Sequence, residues 1–315
     1  MTIDISVLLM KTDQVDCYDA SGEKIDCAGS GHDGALKQGA IALAEDRFRE
    51  RPSGIEDRVT GLIWRKKAGL SDFPMTWTEA PAAITSLNDA AAVGPWRLPT
   101  RRELFSLISH QHINPALPAG HPFAGVFNGY YWTGTRCARL TGQAWYVHLG
   151  GGKVYRGMMQ GSYMVWPVSG PADAPARQGE RFINKGVVVT DRATGRHWYA
   201  GDRLPDGPVP WEHALDAVRG LNTVSPSGAH GWRLPTIREL ESLVDDTRHS
   251  PALAEGIAFL GGPVEGYWSS TTSIYEPRYA WVLYLLDGAL GVGFKPKADF
   301  HVTAISGNPQ ENLPR

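Results

Sequence analysis

Trp96-Arg-Leu-Pro-Thr-Arg-Arg-Glu-Leu104 and Trp232-Arg-Leu-Pro-Thr-Ile-Arg-Glu-Leu240 differ at one position only. A match of this length, 136 positions apart (232 − 96), marks one structural unit present twice. Further pairs fall on nearly the same offset. Trp64 matches Trp198, Trp77 matches Trp211 and Asn88 matches Asn222, each at 134. Trp132 matches Trp268, and Ala144-Trp145 matches Ala280-Trp281, at 136. Within the motif, Thr100 and Glu103 have the Ser/Thr-x-x-Glu spacing of a capping box, repeated by Thr236 and Glu239. Each is therefore expected to open a short helix, with Leu104, Leu107 and Ile108, or Leu240, Leu243 and Val244, on its buried face. Arg97 and Arg233 are expected to donate hydrogen bonds to loop carbonyls.

Working outward gives the rest of the unit. Residues 1–57 read as an N-terminal extension, with a helical piece near Ile41–Arg49. The first repeat spans 58–170, a Pro- and Ala-rich linker 171–180, the second repeat 181–307 and a tail 308–315. A strand runs from Arg58 to Trp64, and Ala80–Leu87 is apolar at helical spacing, with Pro81 in its opening turn. The last third of each repeat is β. Ala144–Leu149 and Lys153–Met158 flank Gly150-Gly-Gly152, and Ala280–Leu286 and Ala289–Phe294 flank Asp287-Gly288, a strong hairpin signal. Closing strands are expected through Tyr163–Val168 and Phe300–Ile305. Two helices followed by a twisted antiparallel sheet with long loops define an α+β domain.

Composition narrows the function classes. Thirty-six glycines, 22 prolines and 11 tryptophans describe a turn-rich, aromatic chain. A formal net charge of −2 with scattered basic residues argues against nucleic acid as a partner. No apolar run approaches the roughly 20 residues of a membrane span. Met1–Met10 holds Asp4 and shows neither a basic leader nor a cleavage site, so the sequence as written carries no export signal and the cytoplasm is the default expectation.

Cys17 and Cys27 flank a stretch centred on Ser21-Gly22, which reads as a hairpin turn. Such a turn would bring the sulfurs opposite each other, so a disulfide and a pair of reduced thiols are both open. Asp19, Ser21, Glu23 and Asp26 alternate but lack the glycine placement and final Glu of a calcium loop, and read as a solvated acidic turn. His110, His112 and His121 match no zinc spacing, so no metal or other cofactor is expected. Cys137 is the one thiol inside a repeat, and its counterpart is near Ser273, which argues against a nucleophilic enzyme.

The combined motifs resemble the bacterial domain family named for the C-terminal domain of the Legionella collagen-like adhesin. Thr60-Gly-Leu-Ile-Trp64, Trp96-Arg-Leu-Pro99, Ala144-Trp-Tyr-Val147, Trp232-Arg-Leu-Pro235 and Tyr267-Trp-Ser-Ser-Thr271 carry the likeness. The Cys17–Cys27 segment also resembles an extension that often precedes the first such domain. The resemblance implies tandem C-type-lectin-like domains, related to formylglycine-generating enzymes and to receptor-binding proteins of bacteria and phages. It also implies binding of glycans or proteins at cell surfaces, which would suit an extracytoplasmic location. The chain departs from the calcium lectins, whose Glu-Pro-Asn and Trp-Asn-Asp are absent; Glu276-Pro277-Arg278 puts a cation where a liganding amide would stand.

The leading expectation is a non-catalytic recognition or assembly protein that meets a protein or glycan partner through Tyr/Arg-rich loops. Tyr131, Arg136, Arg139, Tyr155, Arg156 and Tyr163 are its candidates in the first repeat, and Tyr275, Arg278, Tyr279, Lys295 and Lys297 in the second. The alternatives are a structural spacer within a larger assembly and an enzyme of the formylglycine-generating type.

Overall fold

A computed structural model describes residues 10–36, 47–90, 95–170, 181–224, 231–257 and 266–307. The chain forms two compact units, one holding residues 47–170 and the other residues 10–36 with 181–307. Both are mixed α and β, built mostly of antiparallel strands with few helices. The linker and tail expected at 171–180 and 308–315 lie outside the described residues, as does Ile41–Asp46 of the expected early helix. Of its remaining residues, Arg47 precedes a strand and Phe48 and Arg49 open it.

In the first unit Phe48–Arg51, Gly54–Asp57 and Leu62–Trp64 pair in sequence. Val168–Ser169 closes onto Leu62–Trp64 and also receives Trp96–Arg97. The second unit repeats the plan with Phe182–Asn184, Val188–Asp191 and Arg196–Tyr199, closed by Ile305–Ser306. The last strand of each repeat thus pairs with the third strand of its opening meander. The expected closing strands shrink to these short pieces and Ser162–Tyr163. The intervening chain passes as an irregular segment, held by single bonds such as Trp132 N–H to the Met164 carbonyl and Trp268 N–H to that of His301.

The helices Ala80–Ala90 and Trp211–Val224 each end on a side-chain clamp. Asn88 Nδ2 donates to the Trp96 carbonyl while its Oδ1 accepts from Trp96 N, and Asn222 does the same for Trp232. Both capping boxes form as expected, at Thr100–Glu103 and Thr236–Glu239. The motif arginines do more than meet carbonyls. Arg97 grips the Glu103 carboxylate with two nitrogens at 2.7 and 2.6 Å, and Arg233 grips Glu239 at 2.7 and 2.6 Å. One glutamate therefore caps its helix and anchors the preceding strand. Burial by itself would raise the Glu239 carboxyl, but Arg233, Arg196 and the Thr236 backbone outweigh it and hold the pKa below the ordinary range.

Tryptophan fills the core. Trp64, Trp132, Trp145, Trp166, Trp198, Trp211 and Trp268 are fully buried. Each removes about 150–250 Å² from water, an upper estimate of roughly 4–6 kcal/mol per ring at about 25 cal/mol per Å². Four of these ring nitrogens find main-chain partners, two of them in matching places: Trp132 Nε1 donates to Met75 O and Trp268 Nε1 to Val209 O, while Trp166 Nε1 donates to Arg65 O and Trp211 Nε1 to Ser269 O.

Residues 10–36 form a small element stapled by the Cys17–Cys27 disulfide, so the bonded alternative is the one observed. Cys17–Tyr18 pairs with Lys24–Ile25 across the turn, and Asp19 Oδ1 accepts from Ser21 N, Ser21 Oγ and Glu23 N. A short helix, Asp33–Leu36, follows where the sequence shows only glycine-rich chain. This element docks on the second repeat. Gln14 clamps Thr272, donating from Nε2 to its carbonyl at 2.8 Å and accepting at Oε1 from its amide at 2.9 Å. The hydroxyls of Thr12 and Thr271 both donate to Asp33 Oδ2, at 2.7 and 2.6 Å. Lys295 Nζ donates to the carbonyls of Tyr18 and Asp19. Glu212 and Arg219 hold Ala20 N and Ser30 O.

The choice of repeat has a sequence explanation. Trp77 N bonds Met159 O as Trp211 N bonds Lys295 O, which makes Met159 the counterpart of Lys295. At the 134 offset, Glu212 and Arg219 correspond to Thr78 and Thr85. All three side-chain grips are absent from the first repeat.

Candidate functional site

Three strands of the first unit, Tyr130–Arg136, Gln143–His148 and Val154–Met158, form a sheet whose side chains alternate between faces. Tyr130 stands opposite His148, and Tyr146 opposite both Trp132 and Tyr155. These residues therefore share one face. Their rings touch: Tyr130 lies 4.9 Å from Tyr146, 4.9 Å from His148 and 5.2 Å from Tyr163. Tyr163 lies 5.1 Å from Tyr146 and 4.3 Å from Trp132. It can do so because Gly157 has no side chain; a Cβ there would come within 2.8 Å of the Tyr163 hydroxyl. Lys153 and Arg156 place their cations 4.9 and 4.6 Å from the Tyr155 ring.

The face is electrically simple at neutral pH. Burial, with the neighbouring phenols of Tyr163 and Tyr130, pushes Tyr146 up to about 12, and burial with Tyr130 also raises Tyr163. Burial and then Lys153 lower His148. The phenols remain donors and the imidazole stays neutral, so the face offers aromatic area, hydroxyls and two flanking cations. That combination stacks against flat or apolar ligand surfaces and orients them by hydrogen bonds.

The second repeat does not keep this face. At the same register its sheet of Gly266–Thr272, Tyr279–Tyr284 and Leu290–Phe294 carries Gly266, Val282 and Gly291 where the first has Tyr130, Tyr146 and Tyr155. Trp268 remains and Tyr284 replaces His148, with Phe300 4.7 Å from Trp268 in the place of Tyr163.

The sequence-derived candidates separate into groups. Tyr155, Arg156 and Tyr163 meet on the tyrosine face, on strands and not on loops. Arg136 lies away from them over Trp77, 5.2 Å from the ring, with half-buried Arg139 in the following loop. Tyr275 is exposed, Arg278 pairs with Glu276 at 3.0 Å, Tyr279 packs 5.2 Å from Phe294, and Lys297 is exposed.

Two candidates are corrected. Tyr131 is fully buried, on the opposite face of its strand from Tyr130 and 5.9 Å from the Trp166 ring; its hydroxyl accepts from Phe127 N, and burial pushes it up to about 12. Lys295 is fully buried, holding the N-terminal element and lying 4.2 Å from the Trp211 ring; burial pulls it down to about 7. Neither is a ligand contact on an open surface.

Sequence reasoning missed Tyr130, Tyr146, His148 and Lys153. Their period-two placement on strands flanking the Gly150–Gly152 turn is the signal that finds them. Elsewhere, an open depression of about 370 Å³ is lined by Arg51, Arg65, Lys66 and Lys67 among others. Its cations are answered by Glu56, the Gly69 carbonyl, Glu50 and Asp72, which leaves it little claim on an anion. Among the described residues no group of three or more His, Cys, Asp or Glu is placed to hold a metal ion, and no helix is long and apolar enough to cross a membrane.

Fold and motifs together define a protein of two tandem α+β domains, each with its last strand returned onto its opening meander and pinned by an arginine–glutamate-capped helix. The model of the Lcl C-terminal domain family matches residues 53–169 and again 187–306, and the chain belongs to that family. No curated protein matches the chain.

Proposed function

We propose that this chain is a non-catalytic recognition protein with C-type-lectin-like domains, and that the first repeat binds a protein or glycan partner on its tyrosine face. One observation carries the reading: Tyr130, Tyr146, Tyr155 and Tyr163 converge on one side of a sheet, with the Lys153 and Arg156 cations against the Tyr155 ring, and the second repeat has Gly266, Val282, Gly291 and Phe300 in place of the four tyrosines. A purely structural cluster would be expected in both copies. Tyrosine and arginine supply rigid area and directed hydrogen bonds, the chemistry of binding hot spots. Cys137 is buried, which removes the one free thiol among the described residues from surface chemistry. Family membership and the return of each repeat's last strand onto its opening meander support the lectin-like fold, and the disulfide supports an oxidising, extracytoplasmic setting.

A glycan array beside an affinity capture, run with the native chain and with Tyr155→Ala/Arg156→Ala, tests this. Binding should fall by about tenfold or more, a loss of 1.4 kcal/mol or above, with the melting temperature nearly unchanged. Undiminished binding by the variant rejects the tyrosine face, and capture of protein alone by an unrelated surface favours the spacer reading.

A further inference from the structure

The two repeats treat one corresponding surface in opposite ways. In the second, Trp211, Leu215, Thr271, Thr272 and Lys295 are buried where residues 10–36 dock. In the first, the same positions hold Trp77, Pro81, Thr135, Arg136 and Met159, and each is half-buried or exposed. The scaffold beneath is the same. Trp77 Nε1 donates to Thr133 O at 2.8 Å as Trp211 Nε1 donates to Ser269 O at 2.7 Å. Thr135 Oγ1 accepts from Arg101 N at 3.0 Å as Thr271 Oγ1 accepts from Ile237 N at 3.1 Å. Arg136 and Thr272 stand opposite Ala144 and Ala280.

What differs is the chemistry facing outward. A hydroxyl that accepts from a backbone amide still has its own hydrogen to give. Thr271 gives it to the Asp33 carboxylate. Thr135 keeps the same donor, and the neighbouring position becomes Arg136, an exposed guanidinium over the Trp77 ring. Met158, 55% exposed, adds an adaptable apolar edge.

We propose that Trp77, Thr135, Arg136, Met158 and Met159 form a docking site for an extended, acidic peptide segment of a partner protein. The mode follows the second repeat, where Gln14 clamps the amide and carbonyl of Thr272 and Asp33 meets Thr271. Arg136 presents the corresponding main chain, and its cation joined to the Thr135 hydroxyl selects a carboxylate. The chain's own N-terminal element is a poor occupant, because Lys295, Glu212 and Arg219 are replaced by Met159, Thr78 and Thr85.

Panning random linear phage-displayed peptides against the full chain tests the site. Selected peptides should be rich in Asp and Glu. They should bind Arg136→Glu and Met158→Glu roughly tenfold or more weakly, the scale of one hydrogen bond to a charged group, while Tyr155→Ala leaves them unaffected. Segment-resolved hydrogen exchange confirms that both charge variants stay folded. Selection without acidic enrichment, peptides indifferent to Arg136→Glu, peptides that reproduce residues 10–36, or a glycan lost on Arg136→Glu would each overturn the proposal.

Discussion

Arg233 and Glu239 form a two-pronged ion pair inside the second repeat, with the Arg196 Nε a further 3.4 Å from the same carboxylate oxygen. The glutamate also accepts from Thr236 N at 2.9 Å, so strand, turn and helix meet at one carboxylate. This explains why arginine and glutamate recur together around the Leu-Pro corner.

Removing a buried partner leaves an uncompensated charge, at a cost of about 3–5 kcal/mol. Glu239→Ala should destabilise the second unit by that order, visible as faster hydrogen exchange in residues 181–307 and an earlier urea transition. Glu103→Ala should cost less, since the Arg97 side chain is a quarter exposed and can recover water.

Lys295 should give the docked N-terminal element a pH dependence. Its folded pKa of about 7 lies below the ordinary lysine value, so the undocked state binds more protons between about 7 and 10.5. Docking should therefore strengthen as pH rises through that window. Below it, His32 and Asp33 oppose each other. Burial, then Lys295, lowers His32 to about 4, which favours docking as pH rises from 4 to 6.5; burial raises Asp33 to about 6, which disfavours docking from 3.8 to 6. Exchange protection of residues 10–36 should be nearly flat in acid and climb above neutrality. Lys295→Met, the residue of the first repeat, should abolish the climb; an unchanged profile would refute the assignment.

The Cys17–Cys27 bond closes a loop of sequence separation 10. Chain-entropy arguments give about 2–3 kcal/mol for a loop of that size. Cys17→Ser/Cys27→Ser should raise exchange throughout residues 10–36 and uncover Trp211, read as a shift in tryptophan fluorescence. Residues 47–170 should be unaffected.

Gly157 and Gly293 occupy equivalent positions with different neighbours. A Cβ on Gly293 would lie 2.3 Å from Phe300 Cε2 and 2.6 Å from Trp268 Cη2, both in packed core. Gly293→Ala should cost about 1–3 kcal/mol through overpacking. Gly157→Ala meets the half-buried Tyr163, which can swing outward, so ligand binding should suffer more than stability. Equal losses of stability in a thermal melt would contradict this.

Duplication, capping boxes and hairpins were legible because each depends on local spacing: Thr100 to Glu103, or Asp287-Gly288 between apolar runs. The docking of residues 10–36 rests on contacts such as Gln14 to Thr272, 258 residues apart, which no local period reports. The hint lay in the differences between copies, at Lys295, Glu212 and Arg219. The tyrosine face was half legible: residue type singled out Tyr155, Arg156 and Tyr163, whereas strand alternation decides that Tyr130 faces outward and Tyr131 inward.

Because the early cysteine element is received by strands far downstream, with Gln14 meeting Thr272 258 residues on, it emerges from the ribosome well before its seat exists. Until residues 266–307 are synthesised, Asp33 lacks the Thr271 hydroxyl donor and Gln14 the amide and carbonyl of Thr272. Fragments cut after the first repeat would thus carry an orphaned, sticky leader, so single-domain expression should begin downstream of it.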